Sequence, residues 1–257
     1  MTKGERGTLA WVTGGGTGIG LESARVLGRA GYHVALSGRR EAELAAAVAA
    51  LRADGINAEA VPLDVADLAA VANAGADLVA RHGAVAVLVC SAGTNVPKRF
   101  WRDLSPADFA RVVGVNLNGV AACVCAVLPA MRERGGGTIV VISSWAGWRY
   151  LGFTGAAYGA SKQGLSPLVE TLNDQEGAHG IRATLICPGE VATPILRSRP
   201  VPPPEEEIAR MLQPDDVAAA VLFAAQAPAR VCVNEIVISP THNRIYVGAD
   251  DLKQPRP

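Results

Sequence analysis

Tyr158 and Lys162, in Tyr158-Gly-Ala-Ser-Lys162, stand four residues apart, which places both side chains on one face of a helix. A free tyrosine ionises near pH ~10, too high for an efficient base at neutrality. A nearby ammonium favours the phenolate and lowers that value. Such a tyrosine can take a proton from an alcohol or give one to a carbonyl. Ser144 lies fourteen residues upstream, at the end of an apolar run, where its hydroxyl would hold the substrate oxygen. Asn116, in VNLNG, sits on the preceding helix, where a kink would let it bind a water leading to Lys162. Tyr-x-x-x-Lys alone is usually a helix surface, and a lone Asn a polar face residue. The four together are hard to obtain by accident.

A second group points to a dinucleotide. TGGGTGIG (13–20) lies between a strand-like run and a helical pattern, with Gly14, Gly18 and Gly20 around Thr17 and Ile19. Glycines there let the backbone turn tightly and approach a pyrophosphate, whose charge the helix N-terminus favours. The second strand ends in Ser37-Gly38-Arg39-Arg40, without the acidic residue that would bind the ribose hydroxyls of NAD. Arg39, with Arg40, suits the 2′-phosphate of NADP, so NADP(H) is the expected cofactor and NAD(H) use stays open. Asp64 and Val65, after the third strand, are placed where adenine would lie. A bound nicotinamide would carry the hydride that the tyrosine chemistry requires.

Alternating elements must position these groups. Apolar runs at 8–13, 32–37, 58–63, 86–90, 138–143, 181–187 and 231–239 read as seven strands. Helical patterns fall at 19–30, 41–53, up to 81, 106–118, 120–134, 158–178 and 214–225, with an interruption near Gly119. Continuous apolar strands separated by helices argue for an α/β fold, a doubly wound, Rossmann-like parallel sheet with helices on both faces. Nothing marks a domain boundary, so residues 1–257 read as one dinucleotide-binding and catalytic domain. Residues 195–213 read as a lid over the active site, with a short helix at 205–212. The charged tail, 243–257, is either loose or reaches a neighbouring subunit.

Composition narrows the class. With 24 basic and 24 acidic residues, the chain offers no electrostatic reason to bind nucleic acid or an anionic membrane. Five cysteines form no regular framework and read as thiols in a reducing compartment; Cys123 and Cys125 point to different sides of a helix. The four histidines are scattered, so no metal site is expected. Residues 1–9 contain no apolar leader, and no run approaches the ~20 apolar residues that span a bilayer. A cytoplasmic location is the default.

TGGGTGIG, VNLNG, ISSWAG, YGASK and PGEVATP, in this order, resemble the motifs of the short-chain dehydrogenase/reductase family, and PDDVAAAVLF (214–223) extends the likeness. That resemblance implies carbonyl–alcohol interconversion by Asn116, Ser144, Tyr158 and Lys162. It also implies contacts to the cofactor from Ala92 and Gly93, from Tyr158 and Lys162, and from Pro188 and Gly189, with Val191 and Thr193 at the nicotinamide carboxamide. A homodimer or homotetramer is implied as well. Three features depart from the family pattern. Cys90-Ser91-Ala92-Gly93 replaces Asn-Asn-Ala-Gly and loses amides that brace the sheet. Thr17 stands where many NADP users carry a basic residue. The ending VNEIVISPT (233–241) is more similar to the branch containing serine and 3-hydroxy-acid dehydrogenases.

Substrate preference is less legible. Trp145, Trp148, Tyr150, Phe153 and Tyr158 concentrate in one segment of a chain that is only 5% aromatic. Some of them either line a pocket for an apolar or ring-containing substrate, or pack against a second subunit. Glu190 either contacts a substrate hydroxyl or amine, or faces solvent. The competing reading of the whole chain is a non-catalytic NAD(P)-binding regulator, which would have no need of Tyr158.

Overall fold

The computed structural model describes residues 8–249 and Leu252. Strands β1 (Leu9–Thr13), β2 (His33–Gly38), β3 (Ala58–Pro62), β4 (Val85–Cys90), β5 (Gly137–Ile142), β6 (Ile181–Pro188) and β7 (Glu235–Ile238) form one sheet in the order 3-2-1-4-5-6-7. Every neighbouring pair is parallel. Each residue of β1 and of β4 is buried, as parallel strands covered on both faces require, whereas the edge strands β3 and β7 are partly exposed. Successive side chains of β1 enter opposite cores: Leu9 and Trp11 pack with Leu88 and Val127, Ala10 and Val12 with Leu27 and Val221.

Helices α1 (Gly18–Arg29), α2 (Glu41–Ala53), α3 (Leu68–His82), α4 (Pro106–Val113) and α5 (Gly119–Arg134) occupy the first half of the chain. The second half holds α6 (Trp145–Trp148), α7 (Ala156–Gln163), α8 (Leu165–Glu176), α9 (Glu205–Ile208), α10 (Pro214–Gln226) and α11 (Arg244–Val247). The expected α/β class, parallel order and seven strands are all present.

The differences have local causes. Helix α4 does not break near Gly119. It runs into α5 through a π-turn at Gly114–Asn118, which carries Asn116. The resulting stretch, Pro106–Arg134, is apolar and long enough to cross a membrane by length and composition, contrary to the count of consecutive apolar residues. Its Val120, Cys123, Val124 and Val127 instead pack in the core beside Leu78 and Leu88. The helix expected at 158–178 starts at Ala156 and divides at Gly164, where the side chain of Leu117 crowds the backbone. The helix expected at 205–212 stops at Ile208, because Leu212 must be extended to bridge Val191: its N–H donates to the Glu190 carbonyl (3.1 Å) and its own carbonyl accepts from Ala192 (2.8 Å). Strand β7 covers only the second half of its expected range. Cys123 is buried and Cys125 exposed, as two positions apart on a helix should be.

Candidate active site

Strand order reverses between β1 and β4, so the loops leaving their C-terminal ends diverge and open a crevice. A cavity of about 480 Å3 occupies it. Its wall includes Gly14, Thr17, Gly18 and Ile19 after β1; Arg39, Arg40, Asp64 and Val65 after β2 and β3; and Ala92 and Gly93 after β4. Ser144, Tyr158 and Lys162, then Pro188, Gly189, Val191 and Thr193, complete it. Of the residues singled out in the sequence, Gly20 and Asn116 lie behind this wall.

The glycine loop fits a dinucleotide pyrophosphate. Gly14 (φ +67°) and Gly18 (φ +56°) adopt backbone conformations that side chains disfavour. A Cβ on Gly14 would meet the Ala92 nitrogen at 2.8 Å, so this loop packs directly on the one after β4. The Thr13 hydroxyl accepts from Ala92 N–H (3.3 Å), bracing a turn that lacks the usual asparagines. Helix α1 has no acidic residue in its first turn and no side-chain cap, which leaves its N-terminal dipole to an anion. Behind it, a Cβ on Gly20 would approach the Gly14 carbonyl oxygen to 2.3 Å, a backbone clash that no rotamer relieves. Gly20→Ala is therefore expected to weaken dinucleotide affinity by about tenfold or more, read by fluorescence titration with NADPH.

The two arginines after β2 are not equivalent. Arg40 pairs with Glu43 at 2.7 Å on its own helix, whereas Arg39 stands 3.9 Å from Asp64 with its side chain 61% exposed. Arg39 is thus the more available cation at the cavity rim.

The π-turn brings Asn116 to a fully buried position. Its Oδ1 accepts from Thr94 N–H (2.8 Å), and its Nδ2 donates to the Thr94 carbonyl (3.0 Å) and to Ser161 Oγ (3.1 Å). Asn116 thereby ties the loop after β4 to the helix bearing Tyr158 and Lys162. Ser144 caps α6, accepting from Ala146 N–H (3.1 Å), and lines the cavity with Tyr158.

Electrostatics at Tyr158 differ from the sequence expectation. Burial pushes the phenol above its ordinary value; the Ser144 hydrogen bond, then Arg199 and Arg99, oppose this. The Lys162 ammonium does not face the hydroxyl. It donates to the Ile142 carbonyl (2.8 Å) and lies 5.9 Å from the centroid of the tyrosine ring. Burial holds Lys162 down to about 8, with Cys187 and Cys90 acting weakly in the other direction.

The aromatic segment divides. Trp145, Phe153 and Tyr158 line the cavity, but Trp148 lies under the Arg149 guanidinium (4.0 Å to the ring centroid) and Tyr150 is 82% exposed. Glu190 does not face solvent. It is buried, pairing with Arg199 (2.6 Å) and Arg244 (3.1 Å), while Arg244 also meets Glu207 at 3.0 Å. This network joins the loop after β6, the segment at 195–213 and α11. At the start of the tail Asn243 and Arg244 are buried, whereas Tyr246 and Val247 are exposed, with the Tyr246 ring 5.4 Å from that of Trp145; most of 250–257 lies outside the described residues. Arg244→Met leaves the buried Glu190 with Arg199 alone and the half-buried Glu207 with Arg210 at 3.8 Å, and chemical denaturation should show a loss of about 1–3 kcal/mol.

Sequence reasoning missed Arg99, Arg199 and Arg244. Each is a single arginine in a loop or tail, with no periodicity to mark it. The histidines also depart from expectation: His33 and His82 stack at 4.7 Å and both meet Glu59 (3.0 and 2.7 Å), a three-residue group compatible with a metal ligand set. Arg81 lies 2.6 Å from the same carboxylate and supplies a cation there.

With this geometry in place, comparison with known proteins is decisive. The sequence profile of the short chain dehydrogenase family matches residues 8–201. The chain belongs to that family. It is an NAD(P)-dependent short-chain dehydrogenase/reductase. It is 35% identical over 239 residues to cis-4-hydroxycyclohexanecarboxylate dehydrogenase of Sinomonas cyclohexanicum, covering 89% of this chain and 93% of that protein. It is 32% identical to glycine betaine reductase of Emericella nidulans over 91% of this chain, but that match spans only 19% of the longer protein. Among solved structures, a single-residue variant of actinorhodin polyketide ketoreductase with NADPH is similar with a TM-score of 0.83 and 32% identity, over 90% of this chain and 95% of that one. The alcohol dehydrogenase of Thermococcus sibiricus, complexed with 5-hydroxy-NADP, has a TM-score of 0.82 and 30% identity, over 92% and 98%.

Proposed function

We propose that this short-chain dehydrogenase interconverts an alcohol and a ketone or aldehyde with NADP(H), Tyr158 acting as the general acid/base. The observation that carries the reading is that Tyr158 and Ser144 line the same crevice as the glycine loop and the α1 N-terminus. When bound, the nicotinamide would supply or accept the hydride. Ser144 orients the substrate oxygen toward the phenol, and Tyr158 transfers its proton. Lys162 places a buried cation behind the ring, and Asn116 fixes both flanking segments. Gly14, Thr17, Gly18, Ile19 and Gly20 shape the pyrophosphate site, with Asp64 and Val65 toward adenine. Ala92 and Gly93, and Pro188, Gly189, Val191 and Thr193, enclose the nicotinamide half. The whole chain acts as one catalytic domain, 195–213 serving as its lid, in a cytoplasmic homodimer or homotetramer.

The NADP(H) preference rests on Arg39 at the rim and on the missing acid at the end of β2; NAD(H) serves as the weaker cofactor. The NADP-bound solved relatives support it. Titration should show NADPH binding tighter than NADH by about tenfold or more, with the difference disappearing in Arg39→Ala. Equal affinities in the wild type would contradict the preference.

A further inference from the structure

We propose that the substrate carries a carboxylate, held by Arg99 and Arg199, while its alcohol or carbonyl carbon faces Tyr158. This rests on the reading of Tyr158 as the acid/base.

Two guanidinium side chains line the cavity on the substrate side. Arg99 is 4% exposed and rigidly placed: its Nε donates to the Val96 carbonyl (2.8 Å), and its own carbonyl accepts from Ala156 N–H (3.3 Å) at the start of the Tyr158 helix. A Cβ on Gly155 would meet the Arg99 Cβ and carbonyl oxygen at 2.6 Å, so the side chain leaves the backbone in close contact with α7. Arg199 is oriented by Glu190 (2.6 Å) and lies over the Phe153 ring at 5.5 Å.

Both guanidiniums line the same cavity as Tyr158 and act electrostatically on its phenol. They also act on each other: burial and then Arg199 bring Arg99 down to about 10. Two cations facing one low-dielectric cavity are relieved by an anionic ligand, and a planar fork matches a carboxylate. Cofactor phosphates are not that anion, because the glycine loop and Arg39 follow β1 and β2, with β4 standing between them and the Tyr158 side of the sheet. Glu190 also lines this space, but it pairs with both Arg199 and Arg244 and does not set the sign. Leu151, Phe153, Leu196 and Ile245 supply apolar wall. The ligand class is an oxo- or hydroxy-carboxylic acid with an apolar body.

The test uses the full chain loaded with NADPH, titrated calorimetrically with cyclohexanecarboxylate and with cyclohexanecarboxamide. The carboxylate should bind about tenfold or more tighter, and Arg99→Met should abolish the difference without changing amide or NADPH affinity. Arg99→Lys keeps the charge but not the fork, and should retain part of it. Equal binding of the two probes, or no binding of the carboxylate, overturns the proposal even if Arg99→Met fails to fold. Turnover of 4-oxocyclohexanecarboxylate and its methyl ester separates the two readings. Equal reduction of both sinks the carboxylate site and leaves the oxidoreductase standing. Arg99-dependent carboxylate binding with no turnover of either leaves the site standing and sinks the oxidoreductase.

Discussion

Tyr158→Phe is expected to lower turnover by roughly 10²–10⁴-fold, the usual contribution of a positioned general acid or base. Only the hydroxyl is removed, so the ring keeps its place beside the Lys162 cation and NADPH affinity should be unchanged. The loss should appear in kcat at saturating substrate, because the proton is transferred in the transition state rather than used for binding. Ser144→Ala removes the partner that opposes burial at the phenol, and should act in the same direction with a smaller loss. A Tyr158→Phe enzyme with normal kcat would mean that another group moves the proton.

Lys162→Met is expected to separate activity from stability. The buried ammonium is held down to about 8 from an ordinary 10.5, mainly by burial. Below pH 8 both folded and unfolded chains carry this proton, and the folded state bears the full penalty, about 3 kcal/mol. Between pH 8 and 10.5 the unfolded chain holds more protons, so wild-type stability rises with pH; above 10.5 the penalty is gone. Methionine escapes the penalty but leaves the Ile142 carbonyl without its donor, a cost of about 1 kcal/mol. The variant without cofactor should therefore be about 2 kcal/mol more stable than wild type at pH 7 and lose that advantage as pH climbs. Its turnover should fall steeply. Denaturant titrations of both proteins at about pH 7 and about pH 9.5 check this, and a less stable variant at the lower pH would show that Lys162 stabilises the fold.

The fold was legible because its signals are local and redundant. Apolar runs such as AVLVC can be buried on both faces only in a covered parallel sheet, and glycines at 14, 18 and 20 need the turn that the structure gives them. The grouping of the candidate residues was legible for a similar reason: Tyr158 and Lys162 share a helix, Ser144 follows the adjoining strand, and all three line one crevice. What the sequence concealed depends on tertiary packing. The π-turn rotates Asn116 into the core without any proline or charge to announce it. Glu190, then Arg199 and Glu207, then Arg244 come from three separate stretches, and no spacing rule links them. The same holds for His33, Glu59 and His82, drawn together by β2, β3 and the end of α3.

The most direct measurement follows NADPH absorbance in the purified protein presented with a panel of ketones and aldehydes, with Tyr158→Phe run in parallel. NADPH should be oxidised in step with alcohol formation, and this oxidation should collapse in the variant. Tight NADPH binding with no turnover across the panel would contradict it, and would favour a protein that senses the dinucleotide rather than one that uses it.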